Sequence, residues 1–145
     1  MKVMIIIMFL NFVLNLNLLI SKLEGNWKLV EYSGFSTIIA SPNFNNLTEE
    51  QKIKASESFQ FALDNTFYSF KEDSVFFTDA GGDFIVKEKK GRFLVNSDTL
   101  IIMEAGKFKI HRFYISSQNE KKLKMRIVYN NGLVGPTEMT FEKVD

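Results

Sequence analysis

Apolar and polar residues alternate along most of this chain, and the alternation has a period of two from Asn65 onward. That period marks strands with one buried face. It predicts strands at Phe67–Lys71, Val75–Thr78, Phe84–Lys87, Arg92–Val95, Leu100–Met103, Phe108–Ile115, Leu123–Tyr129 and Met139–Val144, after a first strand over 26–33. The cleanest case is Leu123, Met125, Ile127 and Tyr129, which share a face opposite Lys122, Lys124 and Arg126. Met139, Phe141 and Lys143 likewise share a face opposite Glu138, Thr140 and Glu142. Phe108 and Ile110 are on one parity and Phe113 and Ile115 on the other, which places a β-bulge near His111 and Arg112. The connectors carry turn chemistry, among them Glu72-Asp73, Ala80-Gly81-Gly82-Asp83, Lys90-Gly91 and Asn130-Asn131-Gly132.

One segment breaks the rhythm. Residues 34–47 scatter asparagines, Gly34 and Pro42 among apolar residues and read as loop. Thr48-Glu49-Glu50-Gln51 is then a capping box, and the helix it opens runs to about Leu63. Its apolar stripe of Ala55, Phe59, Ala62 and Leu63, with Ser56, is narrow. Such a helix lies on a surface rather than inside a core. Nine short strands with tight turns predict an antiparallel meander, and closing it removes both exposed edges. A mainly β, single up-and-down barrel of about eight or nine strands, with one helix between strands 1 and 2, follows. A cystatin-like sheet with one packed helix is the alternative, and it uses fewer strands.

Two ends of the chain carry a resemblance. Gly25-Asn26-Trp27 opens the first strand, and Phe141-Glu142-Lys143-Val144 closes the last. The pair resembles the signature of lipocalin-like, or calycin, barrels, most closely the small secreted lipocalin-like domains of bacteria. The resemblance spans about residues 23–145. It implies that Gly25 turns the backbone into the barrel, that Trp27 plugs the closed end, and that a cation near the chain's end covers the indole. Here that cation is Lys143, where arginine is commoner. Lysine lacks the forked donors of a guanidinium. The resemblance also implies a cavity for a small hydrophobic or amphipathic ligand. The helix lies where fatty-acid-binding proteins carry their lid, so residues 35–64 are expected to cover the open end.

The 145 residues make one domain. The N-terminus has Lys2 followed by an apolar run to Ile20, which is signal-peptide grammar, with Ser21 the small residue near the expected cut. Residues 1–21 are therefore expected to be a signal peptide, and 22–145 the barrel domain, exported to the periplasm or beyond. The run is also just long enough to span a bilayer, so an uncleaved anchor is the other outcome, and the only route to a membrane read from the sequence. Net charge is +1, and Lys2 lies in the leader, so the body is neutral. A neutral body with mixed charges does not fit a nucleic-acid partner, and a monomer is expected.

Candidate chemistry is sparse. With no cysteine there is no thiol nucleophile, disulfide or cysteine metal site. His111 is the only histidine, too few for a two-histidine metal site. No nucleophile, base and orienting group assemble, so no enzyme, metal or cofactor is expected. Asp73, Asp79, Asp83 and Asp98 read as turn residues. The 15 phenylalanines point to an aromatic core or an aromatic cavity. Sequence leaves open whether the barrel interior is packed or hollow. If hollow, Tyr68, Arg112, Tyr114 and Tyr129 are the candidate polar groups that orient a ligand. If solid, the barrel is a structural or protein-interaction module of the cell envelope.

The leader yields a direct expectation. N-terminal sequencing of the exported protein should begin near Lys22, whereas intact Met1 in a membrane fraction would identify an anchor.

Overall fold

A computed structural model describes residues 22–145; the expected leader, 1–21, lies outside the described residues. Strand β1 (Gly25–Tyr32) leads into three helices, α1 (Ser33–Ile39), α2 (Pro42–Asn45) and α3 (Glu49–Asn65). Seven strands follow: β2 (Phe67–Lys71), β3 (Ser74–Ala80), β4 (Val86–Asn96), β5 (Thr99–Glu104), β6 (Ile110–Gln118), β7 (Lys122–Val128) and β8 (Val134–Val144). Each pairs antiparallel with its successor, and β8 returns to β1, closing an eight-stranded barrel. The open cystatin-like sheet is excluded.

The expected strands at Phe84–Lys87 and Arg92–Val95 are one strand, so the count is eight rather than nine. Lys90-Gly91 is not a turn. Gly91 pairs with Glu104, and a Cβ on it would lie 2.2 Å from the Met103 carbonyl oxygen. The missing side chain lets β4 run tight against β5 (a strand glycine often marks such close approach). The expected bulge is also displaced. His111 and Arg112 pair regularly with Ile102 and Ile101, and the β6–β7 register shifts instead between Ile115 and Ser117. The parity conflict has another cause: Phe108 lies in the β5–β6 turn and Ile110 is exposed on the outer face.

The expected loop over 34–47 contains α1 and α2. Pro42 starts α2, and the Ser41 hydroxyl accepts from the Phe44 N–H at 3.2 Å. The α3 capping box forms as expected: the Thr48 side chain accepts from Gln51 N–H, and the Gln51 side chain accepts from Thr48 N–H at 2.9 Å.

Inward-facing residues fill the lower half of the barrel. At the closed end Trp27 is fully buried, and its Nε1 donates to the Leu23 carbonyl at 2.7 Å. Lys143 is the cross-strand partner of Trp27 and holds its Nζ 5.4 Å from the indole centroid. Gly25 has φ +120°, and a Cβ there would meet Lys143 Cε at 2.5 Å. Only glycine permits both that backbone and the lysine's path. Above the indole, the Tyr68 ring stacks on Phe77 at 5.2 Å and meets Phe113 and Phe141 edge-on, while Phe70 meets Phe93 at 4.9 Å. Leu100, Ile102, Leu123 and Met125 close the gaps between the rings, all fully buried. This half is solid.

Removing the plug should therefore hurt far more than removing its cover. Trp27→Ala should lower unfolding free energy by about 3–5 kcal/mol as a large-to-small core change. Lys143→Ala, which removes an exposed cation over a ring, should cost about 0.5–1 kcal/mol. Denaturant midpoints of the two variants check the contrast.

Candidate functional site

The upper half of the barrel is not filled. A cavity of about 390 Å³ lies between the mouth and the helical cap. From the barrel side it is lined by Leu29, Asp79, Ile127 and Met139; from the cap side by Phe35, Ser58, Phe59 and Ala62. The inward parity of each strand continues past the aromatic layer, but the side chains there are smaller or polar, so they leave space.

The cap is held at several separate points. The Ser33 hydroxyl accepts from the Glu138 N–H at 2.8 Å and pins the start of α1 to β8. Phe35 packs edge-on against Tyr32 at 4.8 Å and stacks on Phe59 at 4.3 Å, joining α1 to α3. Phe61 meets Phe84 at 5.2 Å and ties α3 to the β3–β4 loop. At its far end Lys28 bonds Asp64 at 3.2 Å. Hydrogen bonds from Gln60 and then Lys28 hold the Asp64 carboxyl below its ordinary range. That ion pair is exposed and adds little. No residue of α3 is buried. Leu63 packs half-buried against the core; toward Ser58, Phe59 and Ala62 the helix roofs a space.

The lining is apolar with one charged residue, Asp79. The turn assignment for Asp79 is corrected: it lies in β3, on the same parity as the buried Val75 and Phe77. Its Oδ2 accepts from Lys89 Nζ at 2.8 Å. The Lys89 side chain is nearly buried and lies 5.8 Å from the Phe77 centroid. Asp79 is thus a charged wall of the cavity, paired with a lysine that lies over the aromatic plug. Burial, and then the Asp79 charge, push the Tyr68 phenol up from its ordinary range, so it stays a neutral hydroxyl.

A second polar group lies on the inward face nearby. Glu104 is buried and bonds Lys107 Nζ at 2.7 Å and His111 Nε2 at 3.1 Å. The Lys107 bond first, and the His111 bond second, lower its carboxyl to about 2. Among the described residues no three His, Asp or Glu side chains gather as a metal would need.

The four residues expected to orient a ligand do not meet in this cavity. Tyr68 is in the solid layer beneath it. Arg112 and Tyr114 have the outer parity of β6, opposite the inward Phe113 and Ile115. Tyr114 pairs with Thr99 and Arg126 on the barrel's outside. Arg112 and Tyr129 do come together, with His111, in a separate cleft of about 250 Å³ between the ends of β6 and β7. Ile127 lines both spaces. The residues that do line the main cavity were partly legible: Phe59 and Ala62 lie on the helix stripe, and Asp79 has the parity of Val75 and Phe77.

No family model and no curated protein matches the sequence. Solved structures do match the fold. The chain is similar to a lipocalin-like protein from Bacteroides uniformis, with a TM-score of 0.51, 15% identity, and coverage of 85% of this chain and 99% of that one. It is also similar to an uncharacterized protein from Bacteroides eggerthii, with a TM-score of 0.47, 16% identity, and coverage of 83% and 98%. The first likeness and the closed eight-stranded barrel make the fold lipocalin-like.

The Glu104 cluster predicts an acid-dependent loss of stability. Its carboxyl is depressed from 4.5 to about 2, so its contribution is complete above pH 4.5 and disappears as pH falls toward 2. Glu104→Gln has no such titration. Urea midpoints measured at several pH values through that window should converge for wild type and variant at the acid end, with the wild type more stable at neutral pH.

Proposed function

We propose that this is an exported binding protein that holds one small apolar or amphipathic molecule in the mouth of its barrel, beneath α1 and α3. The observation that carries the reading is the cavity itself. At about 390 Å³ it falls within the range of small-molecule sites, about 300–1,000 Å³. Its walls are mainly apolar, so burial of apolar ligand surface supplies the affinity. Polar side chains are few: Asp79, Tyr32 and Thr66 on the barrel side and the Ser58 hydroxyl in the roof.

Asp79 also constrains the ligand. Oδ2 is engaged by Lys89, and among the described residues Oδ1 accepts no hydrogen bond. A ligand that buries a hydroxyl or amine against Oδ1 gains a hydrogen bond to a charged acceptor. A ligand carboxylate there meets like charge. The site therefore favours an apolar body with a donor head over a fatty acid. Orientation passes from Tyr68, Arg112, Tyr114 and Tyr129 to Asp79 and Ser58 in this reading.

The second reading, a solid barrel acting as an interaction module of the envelope, draws on the packed lower half, where the aromatic layer leaves no room. Export rests on Lys2 and the apolar run to Ile20.

A neutral apolar amine, N-phenylnaphthylamine, is a suitable probe, because its fluorescence rises in apolar surroundings. Ala62→Trp places an indole in the roof of the cavity and should abolish the fluorescence gain while leaving the denaturant midpoint nearly unchanged. Hydrogen exchange of residues 48–63 should slow when probe is bound. Equal binding by wild type and Ala62→Trp, with no change in exchange, would leave the solid-barrel reading in place.

A further inference from the structure

The two ends of the barrel differ in what their turns expose. Three closed-end turns join β2 to β3, β4 to β5, and β6 to β7. Their residues are Glu72-Asp73, Ser97-Asp98 and Asn119-Glu120-Lys121, without an apolar side chain among them. Three open-end turns join β3 to β4, β5 to β6, and β7 to β8. Each presents a large exposed apolar side chain: Phe84 and Ile85 in the first, Phe108 in the second, Leu133 in the third. Helix α1, at the same end, adds exposed Ile38 and Ile39. Turns are normally polar because they face water, so apolar tips on all three turns of one end and on none of the other require a reason.

Phe108 is the extreme case. Its ring is wholly exposed at 113% of the reference value, and Lys107 and Lys109 flank it. Lys107 is held by Glu104, so the projecting ring has an apolar body for the acyl boundary and Lys109 beside it as the cation for the headgroups. The tips stand on separate loops around a ring. A protein partner would need a matching pocket for each, whereas a fluid apolar layer receives them all at once without shaped complementarity.

We propose that the open end of the barrel docks on an anionic lipid surface, with Phe108, Ile85 and Leu133 entering the interface and Lys109 against the headgroups. Docking in this orientation turns the mouth toward the bilayer, so that an apolar molecule could pass between them without crossing water. The proposal rests on the turns and not on an occupied cavity; it stands or falls separately from ligand binding.

The orientation is testable because the chain contains no cysteine, so single cysteines can carry an environment-sensitive dye. Asn130→Cys reports the open end and Glu120→Cys the closed end. With vesicles of phosphatidylcholine and phosphatidylglycerol, the dye at position 130 should shift to the blue and be quenched by lipid-borne quenchers, while the dye at 120 stays silent. Adding Phe108→Ser to the first variant should remove most of the shift, and so should high salt or vesicles of phosphatidylcholine alone. Phe108 is fully exposed, so its replacement leaves the fold intact. The described chain begins beside Trp27, at the closed end, so attachment through an apolar N-terminus would instead give the response at position 120. That result overturns the proposal. So does silence at both positions, and so does a shift at position 130 that appears without vesicles and grows with protein concentration, which would mark pairing with a second copy.

Discussion

The pairing of β8 with β1 is the contact on which the rest of the molecule depends. A meander of eight strands has two free edges, and each edge presents unpaired N–H and C=O groups. Closure removes both edges and gives the inward face an inside. It also brings together residues from the two ends of the sequence: Trp27 and Lys143 become cross-strand partners, and the lysine lies over the indole. Gly25 permits this twice over, through its positive φ and through the absence of a Cβ where Lys143 passes. The attraction between cation and ring is small beside the burial of the indole. The closure depends on the plug, and the lysine seals it.

From that end upward the barrel changes character. Tyr68, Phe70, Phe77, Phe93, Phe113 and Phe141 fill the middle with aromatic volume, and eight strands leave little interior beyond what such rings occupy. One layer higher the inward positions are Asp79, Lys89, Glu104 and His111. Of these, Glu104 is the buried charge that needs partners, and it has them in Lys107 and His111; the more exposed Asp79 is paired with Lys89. Paired polar groups at the mouth cannot collapse into a close-packed core as rings do. The space above them is left to Leu29, Met139, Ile127 and the roof of α1 and α3.

The helical cap is consistent with this division. It is joined to the barrel by the Phe35–Tyr32 and Phe61–Phe84 contacts, by half-buried Leu63, and by the Ser33 and Asp64 bonds, with no fully buried residue along α3. An element with so little buried surface opens more easily than the strands beneath it. The apolar turn tips surround the same end, so the least buried helix, the cavity and the most apolar exposed turns coincide there. The closed end, by contrast, is packed inside and polar at its turns.

Periodicity, capping chemistry and the two terminal motifs determined the antiparallel meander, the α3 start at Thr48, the inward faces of β7 and β8, and the meeting of Trp27 with Lys143. The first three follow from local rules, since alternation fixes a strand's faces and a capping box fixes a helix start; the meeting of Trp27 with Lys143 is what the resemblance implies. What only the tertiary structure decided depends on neighbours distant in sequence. Gly91 looked like a turn because a glycine after lysines usually is one; only the position of Met103 on β5 shows why the side chain had to be absent. Asp79 reads as a turn residue beside Gly81 and Gly82; the structure makes it a cavity wall paired diagonally with Lys89, which lies opposite Phe77. Arg112 and Tyr114 could not be assigned a face until the true start of β6 at Ile110 set the parity. Whether the barrel is hollow was also beyond the sequence, because free volume is the difference between what closure encloses and what side chains fill, and no single residue carries that difference.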